Sequence, residues 1–125
     1  MANNKSVKKM TATASFVQAT DAATGTGAKS IADTMSIPIG SVVTACITVP
    51  SVSSNSSSNG ETGTITVGGI SVSAALNQAA MAAGNVNTDT TGGVTTSAAD
   101  IGITVGGEAF TAGSMDIIIE YYLLD

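Results

Sequence analysis

The sequence predicts an all-β fold: a β-sandwich, jelly-roll-like, with one short helix and a flexible N-terminal arm. Three observations predict it. Apolar and polar residues alternate with a period of two in several segments. Turn signals built on Gly, Asn and Pro separate those segments at the spacing of short strands. Small and β-branched residues dominate, with 18 Thr, 15 Ser, 19 Ala and 14 Gly among 125 residues, while only 10 % are charged. That length suits one core, so the expected organisation is an N-terminal arm over residues 1–30 and a single sandwich domain over residues 31–125.

Residues 1–30 show no strong period. Val7, Met10, Phe16 and Val17 are the large apolar groups there, and a first strand fits within residues 10–19. Residues 21–30 (DAATGTGAKS) read as a loop. Pro38 fixes φ and lacks a donor and Gly40 permits a turn, so Ile37-Pro38-Ile39-Gly40 introduces the next strand. Val43, Ala45, Ile47 and Val49 then alternate with Thr44, Cys46 and Thr48, and Pro50 ends that strand or sits on an edge. Residues 51–60 (SVSSNSSSNG) are too polar to offset their ordering entropy and are expected as an exposed, mobile loop with a turn at Asn59-Gly60.

Ile65, Val67, Ile70 and Val72 resume the alternation, and Gly68-Gly69 calls for a bulge or tight bend. Residues 73–84 (SAALNQAAMAAG) change character. Ser73 as N-cap, Gly84 past the end and the helix formers between them predict the short helix, with a loop laid over the sheet as the alternative. Residues 85–96 read as a loop turning at Gly92-Gly93. Ile101, Ile103 and Val105 form a strand, Gly106-Gly107 breaks it, and residues 108–113 connect to a long alternating strand through Met115, Ile117, Ile119, Tyr121 and Leu123. Its other face carries Asp116, Ile118, Glu120, Tyr122 and Leu124, the pattern of a strand that is central or covered by another subunit.

The composition bears directly on chemistry. With no His and a single Cys, the chain cannot build a Ser-His-Asp or Cys-His site, a His-ligated zinc centre or a haem pocket. The expectation is no enzyme, no catalytic residues, no cofactor and no metal. Nine carboxylates are isolated in sequence, with no aromatic-rich segment to form a sugar platform. Asn85-x-Asn87-x-Asp89 starts like a calcium loop, but Thr90 stands where Gly is needed and Thr96 where a bidentate Glu is needed, so Asx turns explain it better. Cys46 reads as a small core residue. Four Lys and no Arg give a net charge of −5, which argues against nucleic acid as a partner. No apolar run reaches the roughly 18 residues of a membrane span, and the first ten residues hold no apolar signal core. A soluble protein with no membrane partner is the expectation. Lys5, Lys8 and Lys9 cluster in the first ten residues and are the candidate contacts of the arm with an acidic partner surface.

Three motifs carry a likeness: Ile37-Pro38-Ile39-Gly40-Ser41-Val42-Val43, then Val67-Gly68-Gly69, then residues 107–113 (GEAFTAG) running into residues 116–122 (DIIIEYY). Their order resembles small virion proteins of tailed bacteriophages, of the cyanobacterial and marine type, among them capsid decoration (cement) proteins of β-sandwich form. The likeness spans about residues 30–125, and it departs in the segment after Val67-Gly68-Gly69, which is Ala-rich where an aspartate-rich loop is common. The resemblance implies a virion structural protein on the outer surface of the capsid, made in the host cytoplasm. It implies binding across seams of the major capsid protein and self-association as a homotrimer or homodimer. Removal of residues 2–15 is then expected to weaken attachment and leave the body folded. The alternative is a head-fibre, collar or tail protein that contacts a host surface through residues 51–61 and 85–97. A subunit of a nonviral assembly is a third reading.

Overall fold

The computed structural model describes residues 7–97 and 99–124. Eleven strands and one helical turn follow in order: β1 (Val7–Val17), α1 (Gln18–Asp21), β2 (Gly27–Ser30), β3 (Asp33–Thr34), β4 (Ser36–Ile37), β5 (Val42–Asn55), β6 (Thr62–Val67), β7 (Ile70–Ser71), β8 (Asn87–Asp89), β9 (Gly93–Val94), β10 (Ala99–Gly106) and β11 (Ala112–Leu124). They form two sheets. The six-stranded sheet runs β3-β1-β11-β5-β8, with β9 also on β5, and the five-stranded sheet runs β2-β10-β6-β7, with β4 also on β10.

The pairing has a simple origin. β6 and β7 form a hairpin at Gly68-Gly69, and outward from it β5 pairs with β8 and β9, β2 and β4 with β10, and β1 with β11. The chain is thus one long two-stranded ribbon folded back at a single turn and rolled into two layers, which is the connectivity of a jelly roll. Gly68 and Gly69 have φ of +50° and +86°, the left-handed pair that a two-residue hairpin requires. A Cβ on Gly69 would also lie 2.1 Å from Thr96 Oγ1, so the site demands glycine twice over.

The core lies between the sheets and follows the period-two pattern. Ala12, Ala14 and Phe16 of β1, Met115, Ile117, Ile119 and Tyr121 of β11, and Val43 and Cys46 of β5 face Ile65 and Val67 of β6 and Ile101, Ile103 and Val105 of β10. Small residues lie beside large ones in register: Ala12 opposes Ile119 and Ala14 opposes Ile117. Phe16 and Phe110 close one end, edge to face with centroids 5.7 Å apart. Fully burying one such aliphatic side chain stabilises the fold by about 1.5–3 kcal/mol.

Several expectations are corrected. No helix forms over residues 73–84. Leu76 exchanges both backbone hydrogen bonds with Gly63, which holds the first half extended. Asn77 Oδ1 accepts the Ala80 N–H and Asn77 O accepts the Met81 N–H, closing a single tight turn that places Met81 in the core. Ser73 caps nothing; its Oγ accepts the Ile65 N–H. Burial of Met81 and the bridge to β6 outweigh helix propensity, and the loop alternative stands. The helical turn of the fold is α1, between β1 and β2.

β5 runs through Pro50 to Asn55, into the stretch expected as a mobile loop. Pro50 is tolerated because the β5–β11 register shifts between Ser114 and Met115, and Met115 is opposite Pro50. Residues 85–96 include β8 and β9, both laid along β5. Residues 7–17, expected inside an arm, are all strand and are paired along their whole length to β11.

Candidate functional site

The most structured polar cluster lies where the β5–β6 turn meets the β10–β11 connection. Glu61, 1 % exposed, accepts the Ser54 hydroxyl on Oε2 at 2.8 Å and has Ser56 Oγ 2.7 Å from Oε1. The same Ser56 Oγ lies 2.6 Å from Glu108 Oε1, so one hydroxyl stands between two carboxylates. Glu108 also accepts the Gly60 N–H at 2.8 Å, the Ser58 N–H at 3.0 Å and the Ser57 hydroxyl at 3.2 Å. The Ser56 hydroxyl first, then the Gly60 and Ser58 amides, bring the Glu108 carboxyl down to about 2. Chemically the cluster is a clasp: two acids joined by hydroxyl and amide donors, holding residues 56–60 against residue 108. The serine run of residues 51–60 signalled the donors, but nothing in sequence linked it to Glu108, some fifty residues on.

The second candidate region is the outer face of the six-stranded sheet. Ile118 of β11 lies between Ile47 of β5 and Thr13 of β1, with Val49, Val42 and Tyr122 nearby and the acids Asp116 and Glu120 interspersed on the same strand. Ile118, Ile47, Val49, Val42 and Tyr122 are all half-buried. The five-stranded sheet differs outside: its outward positions are Ala28, Ser30, Thr64, Thr66, Gly102 and Thr104. One sheet therefore shows a partly apolar surface, the other a hydroxyl and glycine surface.

Of the candidate arm residues, Lys8 and Lys9 are exposed on β1, and Lys5 lies outside the described residues. Lys29 donates to Thr24 O at 2.8 Å and closes its own loop. Asn87 and Asp89 do not form a cation site. Asn87 Nδ2 donates to Ala80 O and Thr48 Oγ1, and Asp89 accepts the Ala74 and Thr91 N–H groups. The Thr91 hydroxyl and amide, with the Ala74 amide, hold the Asp89 carboxyl below its ordinary value. Cys46 is buried, and burial, with a smaller push from Asp89, raises its thiol to about 12, far from thiolate chemistry. Among the described residues no three His, Cys, Asp or Glu side chains gather as a metal site, and no helix is long and apolar enough to cross a membrane.

No protein-family model and no curated protein matches the chain. Solved structures do. The chain is similar to one in the acidic stable capsid structure of Helicobacter pylori bacteriophage KHP30, at a TM-score of 0.63 and 13 % identity, over 98 % of this chain and 97 % of that one. It is also similar to a chain of the cyanophage Pam1 capsid asymmetric unit, at a TM-score of 0.58 and 19 % identity, over 98 % of this chain and 89 % of that one. Both likenesses are of fold, and both run through the whole rolled ribbon, β1 included.

Proposed function

We propose that this protein is a structural component of a bacteriophage virion, which decorates the capsid shell by binding across seams of the major capsid protein. The observation that carries the reading is the likeness in fold, over 98 % of the chain, to chains of two phage capsid structures. The role needs buried area and no reaction. Interface free energy gained by a protein that binds only the assembled shell stabilises that shell by linkage. The half-buried row of Ile47, Val49, Ile118 and Tyr122 suits contact with other protein. The carboxylates of Glu61 and Glu108 are engaged in holding a turn, which supports a role without catalysis. Self-association as a homotrimer or homodimer at a symmetry position of the shell belongs to the same reading.

The test is the copy number of this chain relative to the major capsid protein in purified particles, by quantitative mass spectrometry. A number comparable with the capsid protein supports decoration of the whole shell. A number that is a small fraction of it overturns decoration and moves the protein to a vertex, collar or tail.

A further inference from the structure

β1 is an edge strand whose edge is filled along only part of its length. Met35 N–H donates to Thr13 O at 3.0 Å, and Asp21 Oδ2 takes the Val17 N–H at 2.9 Å, both on the side away from β11. These bonds set the phase of the strand: odd-numbered residues direct their N–H and C=O outward, and even-numbered residues direct theirs to β11. Asp33 of β3 covers Ser15, and Met35 covers Thr13, whose N–H also meets Met35 Sδ at 3.4 Å. Below Thr13 the edge is open. Among the described residues nothing pairs with the outward backbone groups of Val7, Lys9 and Thr11, a row about 14 Å long. Val7, Lys8, Lys9, Met10 and Thr11 are all exposed.

We propose that this edge receives an extended, acidic segment of a partner protein as an added strand, paired through the backbone of Val7, Lys9 and Thr11. Charge selects the occupant. Lys8 and Lys9 are successive residues and project to opposite faces of the sheet, so an incoming strand meets a cation on either side. Lysine on an edge opposes pairing with a second copy of the same strand, and β1 contains no acid in residues 7–17 to answer it. A strand bearing carboxylates turns that deterrent into an attraction, with main-chain bonds supplying affinity and lysines supplying choice. The inference goes beyond the shell reading and holds for any assembly the chain joins.

Hydrogen exchange on the full-length protein tests it. The probe is a short end-blocked peptide alternating glutamate with valine and threonine, alongside its lysine-for-glutamate counterpart. The glutamate peptide should slow exchange of the Val7, Lys9 and Thr11 amides about tenfold or more and leave Lys8 and Met10, already bonded to β11, unchanged. Lys9→Glu should weaken that binding about tenfold. Thr11→Pro removes an outward N–H and none directed at β11, so it should keep the melting temperature and lose the peptide. Three results overturn the proposal: no added protection at the odd-numbered amides, equal protection by the lysine peptide, or protection in the free protein that rises with its concentration, which would assign the edge to a second copy.

Discussion

At the scale of single residues the clearest case is Glu108. Its carboxylate gathers the Ser56 and Ser57 hydroxyls and the Ser58 and Gly60 amides, donors that favour the charged form and bring its pKa to about 2 from an ordinary 4.5. A carboxyl whose pKa is lower folded than unfolded contributes stability that is present above the unfolded value and is lost as pH falls through the folded one. Glu108→Gln should therefore melt below the natural protein at neutral pH, and the gap should close between about pH 4.5 and pH 2. Calorimetric melting across that range checks it; parallel curves would mean that the clasp holds through something other than charge. Glycine 107 shows why residue 108 is so placed. Its φ is +71°, and a Cβ there would lie 2.1 Å from Gly60 O, so the connection crosses directly over the turn that Glu108 grips.

At the scale of elements, register decides which substitutions matter. Ile119 is fully buried between Ala12 and Cys46, whereas its neighbour Ile118 faces outward beside Ile47. Ile119→Asp buries an unpaired charge and should yield no soluble folded protein, a loss of several kcal/mol. Ile118→Asp should fold and melt within roughly 1 kcal/mol of the natural chain, because one step along a strand reverses the face. Soluble yield and circular-dichroism melting check both. The same periodicity made β10 and β11 legible in the sequence, and of the two readings of β11, central or covered by another subunit, the fold has it central, between β1 and β5, neighbours that no pattern in the sequence named. It failed at residues 73–84, where local helix propensity pointed one way and Met81, with a core to fill, pulled the chain another. It failed also at residues 51–60, whose serines are ordered by two acids, one of them distant in sequence. The row of outward groups on β1 was hidden altogether, since it depends on how far a two-residue strand, β3, reaches along an edge.

At the scale of the molecule, the arm and the body are not separable as the composition suggested. β1 supplies Ala12, Ala14 and Phe16 to the core and a full-length partner to β11. Deleting residues 2–15 removes two of those core residues and most of that pairing, so the expected result is loss of the fold, checked by circular dichroism of the truncated chain; a truncated chain that melts like the natural one would contradict it. The rolled ribbon has one more consequence, which concerns the order in which the chain is made. β1, β2, β4 and β5 each wait for a partner from the second half, and the waiting time is longest for β1, whose partner β11 is translated about a hundred residues later. Neither sheet can be completed on the ribosome before its central strand, β10 or β11, emerges. The nascent chain therefore carries β1, β2 and β4 without their main partners until β10 and β11 emerge, so late translation of the C-terminal strands sets when the two layers can close.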